Sequence, residues 1–166
     1  TIVSPTTTPN GLYSPFNYRM EGYNTSDFGW GSPSTAVPAV CSFWFKASIA
    51  GAYAFSATSG TGDLGFVSTF TVYNAGVWEY KVIQIGPATA GTFTTGSTLS
   101  FSIRIAPQQD SGTSYRATTL NTWANPTAYT STCAGVVNIS ATAGAYIQVT
   151  GVQLEKGTVA TPFEFR

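Results

Sequence analysis

The stretch Leu99-Ser-Phe-Ser-Ile-Arg-Ile105 alternates apolar and polar side chains along its whole length. Successive side chains of a β-strand point to opposite faces, so this pattern predicts a strand with one face on a core. The apolar face would carry Leu99, Phe101, Ile103 and Ile105. The remaining side chains, two serines and an arginine, would face away from it.

Similar apolar runs recur along the chain, bounded by Gly, Pro, Asn or Ser, while helix-forming residues are scarce. The sequence predicts strands over 39–49, 52–58, 64–73, 77–85, 99–105, 136–139 and 146–154. Core positions are predicted for Cys41, Phe43, Phe45, Phe70, Trp78 and Phe101, and Trp78 would share its strand face with Tyr80, Val82 and Gln84. Regular strands without helical segments between them indicate an all-β domain of two antiparallel sheets, a sandwich or barrel.

The 166 residues fit one domain, with residues 1–16 as an extended Thr- and Pro-rich arm or linker and 17–166 as the sandwich. The first residue is Thr1 and no charged-then-apolar leader follows it, so we interpret the chain as a segment of a longer or processed protein. Residues 107–131 form a long polar and aromatic excursion. A connection of that length is usually functional or decorates a sheet edge.

Charge excludes one class of partner. Charged residues make up 8% of the chain, and seven basic residues cancel seven acidic ones. A phosphate backbone is bound mainly by clustered Lys and Arg, so nucleic acid is not expected as a partner. No apolar run approaches the length of a membrane span, and a membrane is not expected as a partner either.

Weakly charged sheets pair edge to edge unless they are closed or assembled, which favours a closed sandwich or a tight oligomer.

The titratable residues argue against an enzyme. Histidine is absent, which removes the Ser–His and Cys–His nucleophile pairs and the commonest metal ligand. Glu79 and Glu155 lie beside Lys81 and Lys156, where pairing on the solvent side is expected, and Asp63 and Asp110 lie in turns that favour Asp for local hydrogen bonds. We therefore predict no catalytic residues, no cofactor and no metal site. An ion held by backbone carbonyls would leave no sequence signature.

Two cysteines, Cys41 and Cys133, are far apart in the sequence. Alternation places Cys41 on the face of Phe43 and Phe45. The favoured interpretation is a pair of buried free thiols, and the alternative is a single Cys41–Cys133 disulfide across the sandwich.

Aromatic residues make up 14% of the chain, more than a core of this size requires. Sugars present apolar C–H faces ringed by hydroxyls, so an exposed ring beside Asn or Asp suits them. The predicted carbohydrate-binding residues are Tyr23, Trp30, Tyr115, Trp123 and Tyr129. The alternative is that these rings plug the ends of the sandwich or pack against a sister subunit.

Several segments together resemble a known family. They are Arg19-Met-Glu-Gly-Tyr-Asn24, Trp30-Gly31, Ser42-Phe-Trp-Phe-Lys46, Trp78-Glu-Tyr-Lys81, Asn121-Thr-Trp123, Thr150-Gly-Val-Gln-Leu-Glu-Lys-Gly157 and Ala160-Thr-Pro-Phe-Glu164. Their order and spacing resemble jelly-roll domains of bacteriophage and environmental-virus tail-fibre or virion surface proteins, which are similar in fold to galactose-binding domains and carbohydrate-binding modules. The resemblance covers residues 17–166 and is most specific in the Thr150–Glu155 stretch. It implies an antiparallel jelly-roll β-sandwich that carries no catalytic residues.

The resemblance also implies a place and partners. The chain is expected on the virion surface as a homotrimer that contacts other virion proteins and attaches the particle to host cell-surface carbohydrate. Two alternatives stay open: a purely architectural domain that decorates a capsid or caps a fibre, and a carbohydrate-binding module of a secreted hydrolase. The polar, Pro-containing end after Gly157 is expected to fold back along the sandwich or along a neighbour.

Overall fold

The computed structural model describes residues 16–106, 116–125 and 132–164. The strands in these ranges are β1 Phe16–Glu21, β2 Ala39–Ala47, β3 Gly51–Ser59, β4 Gly65–Val72, β5 Glu79–Ile85, β6 Leu99–Ala106, β7 Arg116–Ala117, β8 Trp123–Ala124, β9 Thr132–Cys133 and β10 Ile147–Lys156. Three single-turn 3-10 helices complete the regular structure: Gly22–Asn24, Ser26–Phe28 and Ile139–Ala141.

The strands form two antiparallel sheets that pack face to face. One sheet has five strands in the order β1-β6-β3-β4-β8, and the other has three in the order β10-β2-β5. The short strands β7 and β9 pair in parallel outside these sheets. The predicted all-β sandwich is therefore confirmed, whereas the jelly-roll connectivity stays a prediction.

Aromatic side chains fill the space between the sheets. Phe43 and Phe45 of β2 are fully buried, as are Tyr53 and Phe55 of β3, and the ring of Phe70 lies within 6 Å of three of these four rings. Close aromatic pairs add to the free energy gained by burying their apolar area. Phe101 is also fully buried, so the predicted core role is confirmed for Phe43, Phe45, Phe70 and Phe101.

The predicted core position of Trp78 is wrong. Trp78 precedes β5 and is 40% exposed, and the inward positions of that strand are Lys81, Ile83 and Ile85. Both faces of this stretch carry large apolar side chains, so alternation alone cannot decide which face is buried. Burial of Lys81 is possible because its ammonium donates to a Glu79 carboxylate oxygen at 2.6 Å and to the Thr71 carbonyl oxygen.

A second, smaller apolar cluster covers the outer face of the five-stranded sheet. Ala54, Val67 and Ala106 of that sheet pack there against Cys133 and Val136. Cys41, in contrast, belongs to the core between the two sheets. The two sulfurs lie on opposite sides of the five-stranded sheet, and both thiols are free, which confirms the favoured interpretation and not the disulfide.

Several boundaries differ from the prediction. Phe16, which the sequence placed in the arm, begins β1, a strand that the sequence did not predict. Val136 and Ile139 are buried, but no strand spans 136–139, because the chain runs there from β9 to a 3-10 turn. Within the predicted 107–131 excursion, β8 adds to the five-stranded sheet as an edge strand.

The chain after β10 folds back over the outer face of the three-stranded sheet, as predicted. Gln84 of β5 donates to the Thr158 carbonyl oxygen at 2.7 Å, and Gln153 of β10 accepts from the Glu164 N–H at 2.9 Å. We call residues 157–164 the strap. Val40 and Ser42 of β2 point outward by alternation, yet they are buried. The strap therefore covers the β2 end of this face at which those two residues lie.

Candidate functional site

Trp30 is buried, so the prediction that it is an exposed ring is wrong. It is 8% exposed, and its Nε1 donates to the Val37 carbonyl oxygen at 2.8 Å. Its ring centroid lies 4.8 Å from those of Phe28 and Phe101. The loop after the second 3-10 turn places this ring against apolar side chains of the five-stranded sheet and its loops, where its burial is favourable. Trp30 also lines a cleft of about 400 Å³ whose other lining residues include several hydroxyl side chains.

Trp123 closes the same end of the sandwich. Its centroid is 5.6 Å from that of Trp30 and 5.6 Å from that of Phe66, and its Nε1 donates to the Gly86 carbonyl oxygen at 2.6 Å. With both its ring and its N–H engaged, Trp123 has the end-plugging role that the sequence left as an alternative. The structure thus brings Trp30 and Trp123 together, the first as a buried core side chain and the second partly buried against that core.

The other three predicted residues do not join them. Tyr23 is 69% exposed in the 3-10 turn Gly22–Asn24, and it is held there by its backbone N–H, which donates to the Gly96 carbonyl oxygen at 3.1 Å. Tyr115 and Tyr129 lie outside the described residues. Carbohydrate binding at these positions stays a prediction.

A row of exposed aromatic side chains lies on the outer face of the three-stranded sheet. Trp44 of β2 faces Tyr80 of β5 across the strands, with ring centroids 5.5 Å apart, and Trp78, just before β5, is also exposed. These three side chains are 42, 41 and 40% exposed. We call this surface the aromatic face. Its members are Trp44, Trp78, Tyr80, Val82, Lys46, Gln148 and Thr150.

The core fixes the direction of these rings. Phe43 and Phe45 are buried on either side of Trp44 in the sequence, so the alternation of the strand turns Trp44 outward. On β5, the inward Lys81 places Tyr80 and Val82 on the opposite side in the same way. Trp44 and Tyr80 thus stand on two hydrogen-bonded strands of the sheet, which keeps their spacing fixed.

Polar groups border the rings. Thr150 and Gln148 of β10 are exposed and pair in register with Trp44 and Lys46 of β2. The Lys46 Nζ lies 6.0 Å from the ring centroid of Trp78 and 6.0 Å from that of Tyr146. An amide, a hydroxyl and an ammonium therefore surround an apolar platform, and this combination can contact both the C–H face and the hydroxyls of a sugar.

The sequence interpretation missed this face although part of its signal was present. Alternation that buries Phe43 and Phe45 already requires Trp44 to point outward. For Tyr80, the signal was lost once Trp78 had been placed in the core, because the two side chains share a face. The exposure of a whole row became visible only when both strands were placed in one sheet.

The acidic side chains with altered pKa values have structural roles. Asp63 accepts hydrogen bonds from Ser59 Oγ at 2.5 Å and from Thr92 Oγ1 at 2.8 Å, and these bonds hold its pKa far below the ordinary value. Asp63 thereby links the turn after β3 to the loop before β6, which is more than the local turn bonding that the sequence predicted. Asp110 lies outside the described residues.

Glu79 and Lys81 do not pair on the solvent side as predicted. The Glu79 carboxylate accepts from the Tyr73 and Asn74 N–H groups and from Lys81, and these bonds lower its pKa. The exposed ion pair of Lys156 is with Asp27, at 3.8 Å, whereas Glu155 accepts from Thr161 of the strap.

Acid should destabilise the fold through Asp63. A carboxyl whose pKa is lower in the folded state stabilises the fold above its unfolded pKa of about 3.9, and this contribution disappears as the pH falls below that value. We expect the free energy of unfolding to decrease between about pH 5 and pH 2, and to decrease less steeply in Asp63→Asn, since Asn has no proton to take up. Urea titrations across this pH range measure both slopes. Equal slopes in the two proteins would contradict the role given to Asp63.

Burial raises the pKa of the Cys41 thiol to about 12, so this thiol stays protonated at neutral pH and is a core side chain.

Within the described ranges, no three acidic or cysteine side chains are close enough together to hold a metal ion. In the same ranges, no helix is long and apolar enough to cross a membrane. Searches against protein-family models, curated proteins and solved structures returned no match for this chain.

Proposed function

We propose that this protein is a non-enzymatic binding domain of a virion surface or tail-fibre protein, and that it attaches the particle to host cell-surface carbohydrate through the aromatic face. The observation that carries the proposal is the Trp44–Tyr80 pair, two large rings 5.5 Å apart on an exposed sheet. Binding that covers exposed aromatic area is favourable in water. Contiguous exposed apolar patches commonly mark interaction sites.

The chemistry of the face suits a sugar. A pyranose ring has an apolar C–H side that can lie on an indole or phenol ring, while its hydroxyls need hydrogen-bond partners at the rim. Gln148 and Thr150 supply such partners beside Trp44. A few polar groups around an apolar surface are the usual arrangement for holding and orienting a small ligand.

The virion assignment rests on the sequence resemblance. The segments from Arg19 to Glu164 resemble fibre and virion surface domains, and such domains present binding surfaces from trimers. A low charge content and a surface rich in Ser, Thr and Gly are consistent with a part that assembles with copies of itself. The proposed partners are therefore the two other copies of this chain in a homotrimer, other virion proteins and host carbohydrate.

A glycan array tests the binding function directly. We expect the wild-type protein to bind carbohydrate and Trp44→Ala to lose at least about tenfold in affinity, which corresponds to about 1.4 kcal/mol. Tyr23→Ala is the matched control, because Tyr23 is an exposed ring on another part of the molecule. Absence of binding by the wild type, or loss in Tyr23→Ala with full binding by Trp44→Ala, would overturn the proposed site.

A second function is favoured by one feature of the same face. Val82, and Val77 just before Trp78, are also exposed, and aliphatic side chains contribute little to sugar recognition but fit a protein interface. In this architectural alternative the face packs against a sister subunit or another virion protein. Light scattering separates the two functions: a trimer that dissociates in Trp44→Arg supports the architectural one, and a stable wild-type monomer contradicts it.

A further inference from the structure

Lys46 is the cation of the aromatic face. It lies on β2 two residues after Trp44, on the same outward side, and it pairs in register with Gln148. Its ammonium lies at 6.0 Å from two ring centroids, those of Trp78 and Tyr146. At this distance a ring attracts a cation electrostatically, so the two rings hold the ammonium close to the platform.

Two carboxylates of the described residues form ion pairs with other lysines. Ion pairs in these residues are formed by Lys81 with Glu79 and by Lys156 with Asp27, and none involves Lys46. On the same sheet face, Glu155 lies at the strap end, where Thr161 donates to it. It pairs with Val40, six residues from Lys46 along β2, or roughly 20 Å at the rise of a strand.

Among the residues that the structure describes, no carboxylate pairs with Lys46, and this has a consequence for the ligand. A neutral sugar would leave the Lys46 charge to water, whereas an acidic sugar would place a carboxylate or sulfate beside it while its ring contacts Trp44 or Trp78. The second arrangement gains a charge–charge attraction with the Lys46 ammonium.

We propose that the aromatic face binds anionic glycans, sugars that carry a carboxylate or a sulfate, and that Lys46 selects them. This inference rests on the proposed carbohydrate-binding function and names the class of ligand. Because Lys46 is partly exposed, the selectivity is modest: about fivefold to tenfold over the neutral sugar of the same shape. The attraction is screened as the salt concentration rises.

The experiment compares matched ligands. The probes are one acidic oligosaccharide that binds on the array, its derivative with the carboxyl group reduced to an alcohol, and a sulfated analogue. Affinities are measured at low and high salt for the wild type, Lys46→Gln and Lys46→Arg. We expect the wild type to prefer the acidic probe at low salt, Lys46→Gln to lose this ratio, and Lys46→Arg to retain it.

Two controls separate the outcomes. Lys156→Gln removes a cation that pairs with Asp27 outside the aromatic face, and it should leave the ratio unchanged. Equal affinity of the wild type for acidic and neutral probes, or a ratio that persists in Lys46→Gln, would overturn the inference about Lys46. If the neutral probe still binds and depends on Trp44, the proposed function stands without it. If no carbohydrate on the array binds, the proposed function fails as well.

Discussion

Replacement of Phe43 by alanine should lower the free energy of unfolding by about 3–5 kcal/mol. Phe43 is completely buried between the two sheets, and its ring contacts those of Phe45, Phe55 and Phe70 at centroid distances of 5.3–6.3 Å. Removing the ring loses its transfer free energy and leaves a cavity that two hydrogen-bonded sheets cannot collapse to fill. Urea denaturation followed by fluorescence gives the change.

Trp44→Ala is the matched control for this prediction. Trp44 is the next residue in the same strand and has a larger side chain, but it faces solvent on the opposite side. We expect its replacement to lower the free energy of unfolding by less than about 1 kcal/mol. If the two variants lost equal stability, the assignment of Phe43 to the core and of Trp44 to the outer face would be wrong.

Glu79→Gln is the second large effect that we expect, with a loss of about 3 kcal/mol in the free energy of unfolding. The Glu79 and Lys81 side chains are 13 and 9% exposed, and their charged atoms are 2.6 Å apart. The variant leaves the Lys81 ammonium nearly buried without a counter-charge and weakens the acceptor for the N–H groups of Tyr73 and Asn74. Both contribute to the loss.

A double-variant cycle isolates the ion pair from the rest. Lys81→Met in the Glu79→Gln background should recover part of the lost stability, because it replaces an uncompensated charge with an apolar side chain. Asp27→Asn is the matched control: its pair with Lys156 is longer and solvent-exposed, and its loss should cost less than about 1 kcal/mol. Equal losses in Glu79→Gln and Asp27→Asn would show that the Glu79–Lys81 pair is effectively solvated.

The buried pair also bears on the binding surface. Lys81 sits between Tyr80 and Val82, so its inward anchorage to Glu79 and Thr71 keeps those two side chains on the aromatic face. Similarly, the burial of Phe43 and Phe45 keeps Trp44 outward. Variants that loosen the core at these positions should therefore weaken binding indirectly, and folding measurements must accompany each binding measurement.

The sequence alone determined the fold class and most of its strands. The alternation in 39–47 and 99–105 is strict enough to place Phe43, Phe45, Phe101 and Ile103 inward, and each of them is buried. The side-chain period of a strand is two, so a strand with one apolar and one polar face has a single orientation that buries its apolar area. The free thiols and the returning chain end were likewise predicted from local composition.

Only the tertiary structure decided the positions where local patterns were ambiguous. The stretch 78–85 carries large apolar side chains on both faces, and Lys81 lies inward because its ammonium donates to the Glu79 carboxylate and to the Thr71 carbonyl of β4. The N–H groups of Tyr73 and Asn74, in the turn after β4, donate to the same carboxylate. Trp30 and Trp123 have polar neighbours in the sequence, yet they meet at 5.6 Å across some ninety residues of chain to close the sandwich end. Whether an aromatic side chain in a loop is buried or exposed depends on the distant strands that it contacts. The hydrophobic effect favours such contacts regardless of the separation of the residues in the sequence.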